Sequence, residues 1–117
     1  MKFIKIAFLF TFIFLVSCGH LGGTKFDSNK WKNSDFHKEE NWNLRWNMVN
    51  DLRNNYNLIG KNKTEIINLL GESYSTFQEP NKMSYYLGYT GTGINTGTLY
   101  LILNEENIVT KIIVFEG

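Results

Sequence analysis

Leu58-Ile59-Gly60-Lys61-Asn62-Lys63-Thr64-Glu65-Ile66-Ile67-Asn68-Leu69-Leu70-Gly71 carries start, face and stop signals for a short helix, and the reading of this stretch decides the fold. Asn62 three residues ahead of Glu65 is a capping-box pattern: the Asn side chain accepts from a free backbone N–H, and Glu65 reaches back to the cap. Ile66, Leu69 and Leu70 fall on one side of the helical repeat, and Gly71 can take the left-handed conformation that ends a helix. Such a helix must bury its apolar stripe, and the residues beyond Gly71 read as the sheet that covers it.

Upstream, Asp35 to Asn55 has helical periodicity. Trp42, Trp46, Val49, Leu52 and Tyr56 follow one another at spacings of four, three, three and four, which is one apolar stripe. Glu39, Glu40, Arg45, Asp51 and Arg53 fall mostly off it, as an amphipathic helix on a core requires. The Trp pair reads as core packing, with a ligand platform as the alternative.

Downstream, Pro80-Asn81 suits a turn, and three strand-like runs follow: Met83 to Tyr89, Thr98 to Leu103, and Ile108 to Glu116. Asn104 to Asn107 has the length of a four-residue hairpin loop. With Leu103 opposite Ile108, the period of two puts Leu99, Leu101, Leu103, Ile108, Thr110, Ile112 and Val114 on one face. The sequence therefore predicts an α+β domain in which two N-terminal helices pack on one face of a three-stranded antiparallel sheet. The opposite face carries Tyr100, Ile102, Val109, Lys111, Ile113 and Phe115, which is more apolar than a solvated face should be. Either the aromatic N-terminal segment folds over it or a partner protein does. Tyr86, Tyr100, Ile102, Lys111, Ile113 and Phe115 are the expected partner surface.

The N-terminus reads as an export signal. Lys2 and Lys5 precede an apolar run from Ile6 to Val16, too short for a permanent membrane span, and Ser17-Cys18 follows. Leu15-Val16-Ser17-Cys18 resembles the bacterial lipobox. That resemblance implies cleavage before Cys18 and acylation of its sulfur and of the new amino terminus, so that membrane lipid is a partner. Residues 1–17 are then a signal peptide, 18–35 a lipidated tether and 36–117 the domain. Phe26, Trp31 and Phe36 are odd in a tether; they pack on the domain or sit at the headgroup level. Without Lys2 and Lys5, ten basic residues face eleven acidic ones, a net charge of −1 that argues against a nucleic-acid binder. Cys18 is the sole cysteine, so no intrachain disulfide supports the fold.

No catalytic set is legible. The cysteine is assigned to lipid, and His20 and His37 lie in or beside the tether. His37 with Glu39 and Glu40 lacks the four-ligand spacing of a structural metal, so no metal or other cofactor is expected. Gly91-Thr92-Gly93-Ile94-Asn95-Thr96-Gly97 has the wrong spacing for a dinucleotide loop and leads into a strand, not a helix, so it reads as a connection. Asn62-Lys63-Thr64 matches a glycosylation triplet but reads as the helix cap.

The order of lipobox, Leu58 and Gly60, Glu65-Ile66-Ile67, Leu69-Leu70-Gly71, Tyr85-Tyr86, glycine loop and closing hairpin (Thr98 to Asn104 with Ile108 to Ile112) resembles the BamE/SmpA-type small outer-membrane lipoproteins. Their domain is similar to half of the β-lactamase inhibitor protein. The resemblance covers about half of the chain, Leu58 to Val114, and implies the fold and an envelope location, with no site residue carried over. Gly19 after the cysteine lacks the aspartate of inner-membrane retention, which implies the outer membrane, facing the periplasm, if the organism has one. The expected function is a non-enzymatic, lipid-anchored interaction or scaffold module of the envelope. The alternative is an inhibitor or immunity-type protein that binds an enzyme through the sheet face and glycine loop.

Overall fold

The capping box closes as the sequence predicts. Asn62 Oδ1 accepts from the Glu65 N–H at 2.8 Å, and Glu65 Oε1 accepts from the Asn62 N–H at 3.1 Å. The computed structural model describes residues 23–73, 79–91 and 94–117. In chain order these form α1 (Ser28–Lys32), a 3-10 turn (Glu39–Asn41), α2 (Leu44–Asn55), α3 (Lys63–Leu70), β1 (Lys82–Tyr89), β2 (Thr96–Leu103) and β3 (Val109–Glu116). The three strands make one antiparallel sheet in the order β1-β2-β3, so the architecture is α+β. Gly71 ends α3 at φ +86°, where an L side chain is strained, and its N–H closes the last turn on the Ile67 carbonyl at 2.8 Å.

One buried cluster joins the elements. Met48, Val49 and Leu52 of α2, Ile66 and Leu70 of α3, and Met83, Tyr85, Leu87, Leu99, Leu101, Leu103 and Val109 of the strands all belong to it. Two side-chain bonds tie α3 into place: the Ser28 hydroxyl donates to the Leu69 carbonyl at 2.6 Å, and the Tyr85 hydroxyl donates to the Gly71 carbonyl at 2.8 Å.

The hairpin register differs from the expected one. Leu103 pairs with Val109, not Ile108, and a bulge makes Ile102 the partner of Lys111, leaving Thr110 as the extra residue. The turn sets this slip. Asn104 Oδ1 accepts from the N–H groups of Glu106 and Ile108, Asn107 takes φ +62°, and Asn104 N–H bonds the Ile108 carbonyl at 2.9 Å. A one-residue slip exchanges faces, so Val109 is 1% exposed in the core while Thr110 is exposed. The bulge adds a second residue of offset, which returns Ile112 and Val114 to the expected face opposite Leu101 and Leu99. Ile108 instead bridges to Asn62, linking the hairpin to the helix cap.

The expected helix over residues 35–55 is broken. Residues 35–43 hold only the 3-10 turn, and the Trp42 carbonyl accepts from the Tyr89 N–H of β1 at 2.7 Å. Trp42 is 43% exposed and leans on Tyr89 with ring centroids 5.5 Å apart, whereas Trp46 packs against the core. Gly88 permits this approach: it has φ +79°, and a Cβ there would lie 2.0 Å from the Trp42 carbonyl oxygen.

The boundary between tether and domain also moves. Phe26 and Trp31 are core residues, at 7% and 0% exposure, so the folded body begins well before the expected residue 36. Residues 24–36 form a strap that is bonded to α2 at its start. Thr24 N–H donates to the Asn47 carbonyl at 3.0 Å, Phe26 N–H to Asp51 Oδ2 at 2.7 Å, and Asp27 caps α1 through the Lys30 N–H. Cys18, the signal segment and the start of the expected tether lie outside the described residues.

Leu70→Ala, at a side chain 1% exposed, should cost about 2–5 kcal/mol. Gly88→Ala should cost at least about 2 kcal/mol, from positive φ together with the clash against Trp42. Urea denaturation measures both, and a Gly88→Ala midpoint equal to wild type contradicts the contact between Trp42 and β1.

Candidate interaction surface and adjoining cavity

Alternation along the strands generates the face opposite the buried cluster, and the register aligns its side chains in three cross-strand rungs. Lys82, Ile102 and Lys111 form the first, Ser84, Tyr100 and Ile113 the second, and Tyr86, Thr98 and Phe115 the third. All six residues of the expected partner surface (Tyr86, Tyr100, Ile102, Lys111, Ile113 and Phe115) are thereby on one patch. Phe115 is 56% exposed and Tyr86 is 36% exposed, while Tyr100, Ile102 and Ile113 are half-buried by their neighbours. Val109, expected on this face, is removed from it by the hairpin slip.

Among the described residues, the aromatic N-terminal segment does not cover the centre of this patch. Phe26 and Trp31 are in the core, and Phe36 reaches only the β1 margin, where its ring meets Tyr86 edge-on at 5.0 Å. His37 is exposed, and among the described residues no three His, Cys, Asp or Glu side chains group as a metal site. Of the glycine loop, residues 92–93 lie outside the described set; Thr90 N–H bonds the Asn95 carbonyl at 2.9 Å across it.

At the β1 margin the surface sinks into an open cavity of about 740 Å³. Phe36, Arg45, Ser84, Tyr86, Thr98 and Tyr100 line it, along with Lys82, Tyr85, Glu72 and Glu79. Lys82 Nζ lies 2.8 Å from Glu79 Oε2 and 4.5 Å from the Tyr100 ring centroid. Its hydrogen bond to Glu79 holds the ammonium above its ordinary pKa.

Arg45 is the feature that sequence reading missed. It was expected on the solvent side of α2, yet it is half-buried, with its guanidinium 5.0 Å from the Trp31 ring centroid and 5.2 Å from that of Phe36. Its Nε donates to the Trp31 carbonyl at 2.9 Å and its Nη1 to the Tyr86 carbonyl at 3.0 Å. Burial pushes its pKa down to about 10, so it stays charged at neutral pH. The helical period of α2 does not expose this role, because Trp31 comes from the segment read as tether and Phe36 from the start of a stretch read as helix. Ser84 and Thr98 had a usable signal: each lies two residues from Tyr86 or Tyr100 along a strand and so shares their face.

Comparison with family models, curated proteins and solved structures finds no match. No helix among the described residues is long and apolar enough to cross a membrane.

Tyr85 offers a pH test of the packing beneath the cavity. Burial, and secondarily Glu72, raise its phenol pKa above the ordinary 10.0, against a smaller opposing effect of Arg45. The folded state then holds this proton more tightly than the unfolded chain, so the contribution is complete below pH 10 and is lost as pH rises above it. Tyr85→Phe should cost about 1 kcal/mol at neutral pH by removing the bond to Gly71. The stability gap between wild type and variant should narrow above pH 10 in denaturation curves taken across the alkaline range.

Proposed function

We propose that this chain is a lipid-anchored, non-enzymatic interaction module of the bacterial cell envelope, and that it docks a protein partner on the outer sheet face. The observation that carries the proposal is the contiguous patch of Tyr86, Tyr100, Ile102, Ile113 and Phe115, left open by the described N-terminal segment. Aromatic and branched side chains arrayed on a rigid sheet are the usual composition of an interface centre, and Lys111 at the margin supplies a polar rim. The lipobox at Leu15 to Cys18 supports anchoring to a membrane, and the BamE/SmpA-like order of motifs supports the outer membrane as the site. An inhibitor that plugs a soluble enzyme would use the same face.

Crosslinking and affinity purification of the full chain from membranes tests the proposal, with Cys18→Ala and Phe115→Asp alongside. The proposal expects an integral membrane protein to be captured by wild type, to be lost with Cys18→Ala, and to fall at least about tenfold with Phe115→Asp at an unchanged melting temperature. Capture of a soluble enzyme equally by wild type and Cys18→Ala would favour the inhibitor. Recovery that is indifferent to Phe115→Asp rules out this face.

A further inference from the structure

The cavity at the β1 margin adds Arg45, Ser84 and Thr98 to two residues of the docking patch, Tyr86 and Tyr100. The hydroxyls of Ser84, Tyr86, Thr98 and Tyr100 make no hydrogen bond with another described residue. Arg45, on the same wall, donates two N–H groups to backbone carbonyls, and its other three have no acceptor among the described residues. The ion pair found among the described residues is Lys82 with Glu79, so Arg45 is a half-buried cation without a carboxylate; Glu72, on the same wall, makes no ion pair with it. A guanidinium in this setting gains most from a carboxylate, which accepts from its fork in charge-assisted bonds.

We propose that this cavity binds a saccharide bearing a carboxylate, with Arg45 receiving the carboxylate and Ser84, Tyr86, Thr98 and Tyr100 receiving the ring hydroxyls. The ligand class follows from three observations together. The volume lies within the range of small-molecule sites. Four hydroxyls that both donate and accept match a polyol, whereas an acidic peptide offers carboxylates and amides with no run of hydroxyls. The rings of Phe36, Tyr86 and Tyr100 add apolar surface to the wall, beside the cations that lie against Phe36 and Tyr100, which suits the C–H groups of a sugar. Tyr86 and Tyr100 belong both to the cavity wall and to the docking patch, whereas Arg45 lies off the patch and Phe115 off the cavity, so Arg45→Gln and Phe115→Asp separate the two readings.

The test uses the full, ¹⁵N-labelled chain in dodecylphosphocholine micelles, which have no sugar headgroup, titrated with D-glucuronate, D-glucose, acetate and the dipeptide Glu-Glu. Glucuronate should saturably shift the amides of Ser84, Tyr86, Thr98 and Tyr100 and bind about tenfold tighter than glucose or acetate. Arg45→Gln should reduce glucuronate to the level of glucose. Thr98→Val and Tyr100→Phe, which keep shape and remove a hydroxyl, should each weaken glucuronate by about three- to tenfold with the spectrum otherwise preserved. These two variants decide the matter if Arg45→Gln unfolds the strap. Equal binding of acetate would reduce the site to a general anion contact, and equal or tighter binding of Glu-Glu would assign it to an acidic protein segment. Either result, or the absence of a saturable shift at these amides with glucuronate, overturns the proposal.

Discussion

The enclosure of the Arg45 guanidinium between the rings of Trp31 and Phe36 is the contact on which the N-terminal half depends. One planar group joins three separate pieces of chain: it stems from α2, donates to the Trp31 carbonyl of the strap, and donates to the Tyr86 carbonyl of β1. A lysine could not do this, because a point charge on a flexible stem has no fork and no flat face to stack. The bonds are made to neutral carbonyls, and burial depresses the pKa, so the charge is tolerated more than it is satisfied. Beneath it, the Trp31 ring is fully buried and its Nε1 has no hydrogen-bond partner among the described residues, which is a second polar group accepted for the sake of packing.

That arrangement also resolves the edge of the sheet. A free edge strand exposes unpaired N–H and C=O groups and invites association. On β1, the Tyr86 carbonyl is taken by Arg45 and the Tyr89 N–H by the Trp42 carbonyl, while Gly88 lets the two backbones approach. At the start of β3, Val109 exchanges bonds with Gly60 and Lys61, so the cap region of α3 covers that edge. The same few residues therefore terminate helices, protect strand edges and shape the margin of the outer face.

The outer face itself is a consequence of two irregularities. Without the Thr110 bulge, the slip at the Asn104 turn would carry Ile112 and Val114 out of the core and replace the aliphatic patch with a different one. With it, apolar residues fill both faces of β3, and the surplus that the core does not use becomes a patch centred on Tyr100 and Ile113. A small domain has little buried volume to hold so many large side chains, and the remainder is available for recognition.

Local signals determined much of this protein. The capping box at Asn62, the stop at Gly71 and the three strands were legible because each rests on neighbours within a turn or on a period of two, while Lys111, Ile113 and Phe115 keep their expected face because the hairpin slip and the Thr110 bulge cancel. The α+β class followed from their order. The tertiary structure decided what depends on distant partners: the break before Leu44, where β1 takes the Trp42 carbonyl; the entry of Phe26 and Trp31 into the core; and the burial of Arg45. The one-residue slip at Asn104 was likewise outside the reach of pattern, since loop length alone fits both registers and only side-chain bonds within the turn choose between them. The cavity belongs to the same class, because its walls come from the strap, α2 and two strands, and no stretch of sequence contains it.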